Sequence, residues 1–180
     1  MKRWMRKIHK WLGLVLAVQF LLWMASGLAM SLFDADKVRG REFRIKPAQA
    51  AEWPATAVPL DTVLAGSRDY VASASTAWVL DTPVYRLAND KSGWMVRAAD
   101  GKPFSLDAGL ARKIAQASYS GDGSPAATRQ LNYSPEARDH KGPVWRVDFN
   151  DAAETAVYVS SRTGAVVEHR NSTWRMFDFF

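Results

Sequence analysis

The sequence contains no cysteine, and that absence excludes thiolate nucleophiles, disulfide staples, iron–sulfur clusters and zinc–thiolate sites. Histidine is nearly as scarce. His9, His140 and His169 are the only three, and no two stand at the helical or hairpin spacing of a metal site. His140 follows Asp139 and His169 follows Glu168, which reads as two dispersed surface imidazoles. Also missing are a G-x-S-x-G elbow, an H-E-x-x-H helix, a Walker loop and a G-x-G-x-x-G turn. The one glycine-rich stretch, Gly121-Asp122-Gly123-Ser124-Pro125, runs into proline and a strand rather than into a helix amino end that could hold phosphate, so it reads as a turn. No catalytic residue and no metal ligand is assigned.

A charge excess is lacking as well once the first ten residues are set aside. The formal net charge is +6, but Lys2, Arg3, Arg6, Lys7 and Lys10 supply five of those charges, leaving 19 basic against 18 acidic residues from position 11 onward. A nucleic-acid surface spreads cations over a folded face, so nucleic acid is excluded as a partner. A basic cluster beside an apolar run instead orients a helix in a bilayer.

That run is the longest uncharged stretch in the chain. From Trp11 to Phe33 there are 23 residues without a charge, and as a helix they span ~34 Å against a hydrocarbon core of ~30 Å. The expectation is a cytoplasmic basic tip over 1–10 and a transmembrane helix over 11–33, with the amino end inside and everything beyond outside. Trp4 and Trp11 suit the cationic interface, and Trp23 lies deeper. A cleaved signal peptide is the rival, given Ala25, Ser26, Gly27 and Ala29, but its apolar region would be only ~7–15 residues long, so the retained anchor is favoured. A disulfide-free ectodomain is ordinary for a bacterial periplasm, which places the anchor in a Gram-negative inner membrane.

Within the anchor, Gly13 and Ala17 stand one turn apart and allow close approach of another helix, and Gln19 puts an amide in the apolar span. The lipid bilayer and a further membrane helix or protein are the expected partners. His9 shares a face with Gly13, Ala17, Phe20 and Gly27.

Residues 34–59, with Pro47, Pro54 and Pro59, read as a connecting segment. Beyond it the sequence repeats itself: "LDTVLA" at 60–65 recurs as "LDAGLA" at 106–111, and "PVYRL" at 83–87 recurs as "PVWRV" at 143–147. Asp61 and Asp107 sit where a helix begins, and Leu106, Leu110, Ala111 and Ile114 form a helical stripe. The second motif opens a strand, with Trp145, Val147 and Phe149 on a core face against Val144, Arg146 and Asp148 on a solvent face. Arg86 and Arg146 occupy matching outward positions and read as solvated. Strands are also expected over 94–98 and 156–160, each running into a glycine turn. The fold class is therefore α+β: one transmembrane helix, then two tandem units, 60–104 and 105–170, each a helix packed on a small antiparallel sheet. The motifs lie 23 residues apart in the first copy and 37 in the second, so the second carries an inserted surface loop within 118–142.

The anchor "RKIHKWLGL", the run ending "SGLAMSL", the two helix-plus-strand units and the tail "HRNSTWRMFDFF" together resemble the PepSY-associated transmembrane family over essentially the whole chain. The resemblance implies a bacterial inner-membrane protein with periplasmic PepSY modules, some larger relatives being haem-bearing reductases for ferric siderophores. It implies that His9 is a candidate axial ligand to haem b, its partner histidine lying in a following membrane helix. In the tail, 171–180, Ser172 or Thr173 caps a helix start, and Trp174, Met176, Phe177, Phe179 and Phe180 are lipid-compatible. The expectation is that the sequence stops short of a second membrane helix; the alternative is a tail docked at the outer interface beside the anchor. The function that follows is a noncatalytic, membrane-anchored periplasmic PepSY module that binds or regulates a partner in membrane redox or iron handling, through an open sheet edge or the 118–142 loop. Two alternatives stand beside it: a subunit or fragment of a haem-containing ferric-siderophore-type reductase, and a periplasmic protease inhibitor or chaperone.

Overall fold

A computed structural model describes residues 2–45 and 51–178. Pro47 of the connecting segment, and Phe179 and Phe180 of the tail, lie outside the described residues. The architecture is α+β, an N-terminal apolar helix followed by two four-stranded antiparallel sheets.

Helix α1 runs unbroken over Lys2–Ser31, so the basic tip forms its opening turns rather than a separate segment. Every side chain described on it is exposed. The part from Arg3 to Leu28 is long and apolar enough to cross a membrane. Asp34 then starts the short helix α2, Ala35–Val38, its carboxylate accepting hydrogen bonds from the Asp36 and Lys37 backbone N–H groups at 2.8 and 3.0 Å. The segment after α2 is bound to the domain rather than loose. Ile45 N–H donates to the Ser118 carbonyl, Ser120 N–H to the Phe43 carbonyl, and the Phe43 and Tyr119 rings meet edge to face at 5.7 Å.

Helix α3 is Leu60–Ala65, and the first sheet orders β1 (Ser73–Val79), β2 (Thr82–Ala88), β3 (Gly93–Arg97) and β4 (Pro103–Phe104) side by side. Alternation gives this sheet two buried faces. Tyr85, Leu87 and Val96 pack with Val63 of α3 and with Trp53, while Val84 and Met95 face the other way. That second face joins Leu106, then Ala111, Ile114 and Ala115 of helix α4 (Ala108–Ala117), and Val147, Phe149, Val157 and Val159 in a single core. Asp107 caps α4 by accepting from the Leu110 N–H at 2.7 Å.

The second sheet orders β5 (Pro125–Leu131), β6 (Val144–Phe149), β7 (Ala156–Ser160) and β8 (Val166–Arg170), and helix α5, Ser172–Asp178, follows. Two expectations need correction here. The 118–142 stretch is not a loop throughout, because Pro125–Leu131 pairs along β6 as an edge strand; most of the added length is the β5–β6 connection, 132–143, against residues 80–81 between β1 and β2. Nor is the Val144 face open to solvent. A 3-10 turn, Pro135–Ala137, folds over it and buries Ala137 with Val144, Ala156 and Tyr158.

Candidate functional site

Two sheets have four edges, and three of them are guarded. β4 is two residues long and begins with Pro103; β5 begins with Pro125 and carries Arg129, paired with Asp148 at 3.4 Å. Along β8, Arg44 donates to the Val166 carbonyl at 3.2 Å, and Gly40 lies so close to His169 O and Arg170 Cα that a Cβ there would stand 2.8 and 2.9 Å from them. β1 has no such protection. It is seven residues long, SASTAWV, with no charge and no proline, paired among the described residues only with β2, and exposed from Ser73 to Thr76. An edge of this kind presents a row of unpaired backbone donors and acceptors. On the same sheet, a cleft of about 720 Å³ opens between α3 and the Leu87 face, with Val63, Trp94 and Val96 in its floor and Arg68 and Asp69 at its rim.

The main polar cluster lies on the outer face of the second sheet. Glu136 accepts from Arg175 through both oxygens at 3.1 Å, from Tyr158 Oη at 2.9 Å and from Arg146 at 3.5 Å, while its carbonyl accepts from Arg170 Nε at 2.9 Å. Burial by itself would raise the Glu136 pKa, but the Arg175 hydrogen bonds and charge, with Tyr158 and Arg146, hold it below the usual carboxylate range. Arg146 also grips Asp148 at 2.6 Å. It is therefore a clamped residue rather than the solvated one expected from its strand position. Arg86, its counterpart in the repeat, is likewise half-buried and donates from Nε to the Thr163 carbonyl at 2.7 Å, tying β2 to the β7–β8 turn. By way of Glu136, the side chains of Arg146, Arg170 and Arg175 pin the 132–143 connection and α5 to the second sheet, while Tyr133 on that connection stays exposed.

The "SGDGSP" stretch is also structural. Tyr119 Oη donates to Asp151 at 2.7 Å and accepts from the Gly123 N–H at 3.2 Å. A Cβ on Gly121 would stand 2.2 Å from that hydroxyl, so glycine is required for the chain to wrap it. Burial and the Asp151 hydrogen bond push the Tyr119 pKa up to about 12.

His169, expected at the surface, is fully buried, and His140 is half-buried. Ser118 Oγ donates to the Ala115 carbonyl at 2.8 Å and lies 3.1 Å from His169 Nε2. The hydroxyl has one proton for the Ala115 carbonyl and the imidazole, and the direction of the His169 contact follows the ring tautomer. The pair is a core contact. No group of three or more His, Asp or Glu close enough to hold a metal ion occurs among the described residues.

His9, Gly13, Ala17 and Gln19 all lie on α1, exposed, and nothing comes within 4 Å of a Cβ built on Gly13. Toward haem, the described residues of α1 offer one exposed imidazole, His9. His9 precedes the end of α1 by 22 residues, ~33 Å along the helix, and His140 and His169 sit in the domain beyond that end. Among the described residues no second imidazole comes to His9, so a paired axial ligand would have to come from outside them.

No family model matches the chain, and no curated protein and no solved structure matches it. The site is therefore read from its geometry. Sequence reasoning missed the Glu136 cluster, because its members are spread over residues 136–175. It also missed the β1 edge, although the uncharged, proline-free run at 73–79 was a usable signal.

Proposed function

We propose that this chain is a membrane-tethered, noncatalytic binding module of PepSY type, and that the open β1 edge receives an extended segment of a partner in membrane redox or iron handling. The amino end is cytoplasmic and the sheets are periplasmic in this reading, as the basic opening turns of α1 favour. The tandem-unit reading draws support from element order: a helix followed by a four-stranded meander occurs twice, and "PVYRL" and "PVWRV" both fall on the second strand of their sheets. The observation that carries the binding role is β1, long, uncharged and exposed where the other three edges are guarded. Strand addition uses main-chain hydrogen bonds for affinity and alternate side-chain positions for specificity.

A photo-crosslinking amino acid placed at Ser75 in the full chain, in native membranes, tests this. The expected result is a discrete adduct, absent with the same probe at Lys91 and lost in the Thr76→Lys variant, which charges the edge. Mass spectrometry then identifies the captured partner as a membrane redox or iron-handling protein. Equal adducts at both positions, or an adduct that survives Thr76→Lys, rejects the edge.

A further inference from the structure

Helix α5 is inside out. A surface helix normally turns its apolar stripe to the core and its polar side to water. In α5 the polar side faces the domain: Asn171 caps the helix by accepting from the Trp174 N–H at 2.7 Å and donates to the Lys37 carbonyl at 3.1 Å, Arg175 holds Glu136, and Asp178 pairs with Arg138 at 3.4 Å. These three stand at i, i+4 and i+7, a single face. Capping falls to Asn171 rather than to Ser172 or Thr173. The remaining face carries Thr173, Met176 and Phe177. Met176 is 53% exposed, and the Phe177 ring meets Phe33 edge to face at 5.1 Å.

This apolar face does not stand alone. Leu32 and Phe33, the two residues after α1, are 80% and 47% exposed beside it, and with Val38, Thr173 and Met176, and with Asp34 and Lys37 of the α2 turn, they line a pocket of about 350 Å³ that is apolar on its α5 side and charged on its α2 side. The pocket thus opens at the end of the helix that is long enough to span a bilayer. An apolar surface continuous with that end is where the lipid interface begins, and a helix with one apolar and one polar face lies in that plane.

We propose that Leu32, Phe33, Met176 and Phe177 sit in the interfacial layer of the membrane that α1 crosses, forming a second, in-plane lipid contact that fixes the domain's orientation. This rests on reading α1 as transmembrane. Because Asn171 ties α5 to α2 and Arg175 ties it to Glu136 and to the Glu154 carbonyl beside the second sheet, the contact holds both sheets at a set tilt and presents β1 in a defined direction.

The natural absence of cysteine makes a direct test available. Single cysteines at Met176, Lys91 and Val18 of the full chain carry a nitroxide label, in nanodiscs of phosphatidylcholine with phosphatidylglycerol. Collision with oxygen and with an aqueous nickel chelate is then compared. The expected result is a label at 176 several-fold more accessible to oxygen than to nickel, a label at 91 with the reverse preference, and a label at 18 deep in the bilayer. A label at 176 that behaves like that at 91, with 18 still in lipid, overturns the docking proposal and leaves the anchor standing. A label at 176 shielded from both reagents means a protein contact between copies and also overturns it. A label at 18 in water removes the anchor, and the docking proposal falls with it.

Discussion

The imidazole of His169 sits where a proton is hard to accept. It is fully buried, with Ser118 on one ring nitrogen and the Arg44 and Arg170 guanidinium groups nearby; desolvation first, and those cations second, pull its pKa down to about 3. The unfolded chain takes up this proton at about pH 6.5, while the folded chain refuses it until about pH 3. Stability from this residue is therefore complete above ~6.5 and declines as pH falls, by up to ~1.4 kcal/mol per pH unit. Denaturation midpoints of the full chain in detergent should drop between pH 6.5 and 5, above the range where Glu136 and Asp151 titrate, and His169→Gln should flatten most of that slope. The remainder belongs to His140, which desolvation and Arg162 shift in the same direction. An unchanged slope in the variant would remove this account. Nothing local announces such burial; Glu168 beside His169 reads as surface, and only the Val157 to His169 pairing shows otherwise.

At the scale of elements, α1, α3, α4 and the inner strands were legible, whereas α2, inside the stretch read as a connecting segment, and the covers of the sheets were not. Asp107 and the Leu106, Ala111, Ile114 stripe specify α4 locally, and alternation specifies β6. Whether the outer face of β6 meets water depends on a connection that returns over it, and alternation has no access to that. Glu136 is the keystone of that cover. Glu136→Ala leaves Arg146 and Arg175, with side chains 20% and 25% exposed, without their shared carboxylate, and should cost about 2 kcal/mol, short of a fully buried pair because water reaches the site. The same variant should free α5, seen as faster proteolysis after Arg170 or Arg175 at equal temperature. If stability falls while those cleavage rates stay at the wild-type level, the cluster does not hold α5.

At the scale of the molecule, the described residues form one helix long and apolar enough to cross a membrane and a domain in which both sheets share a core. Arg86 to Thr163, and Gly164 at φ +63 with Val79 Cγ2 3.0 Å from where its Cβ would be, bring the β7–β8 turn against the first sheet. The expected topology has a specific signature. Protease added to the outside of spheroplasts should digest the domain and spare a tag at the amino end, and replacing Arg3, Arg6 and Lys7 with glutamate should raise the fraction with reversed orientation. Complete protection of the domain in intact spheroplasts would place it in the cytoplasm instead.

Composition and short-range order by themselves determined the anchor-length helix, the exclusion of thiol chemistry, the α+β class and the position of α4 and β6, because each depends on residues within a few turns of one another. The tertiary structure decided what covers the second sheet, which histidine is core, which edge is left open and which way α5 faces. Those depend on groups that meet across the chain, as Glu136 meets Arg175 and Phe33 meets Phe177, and a linear pattern carries no record of such meetings.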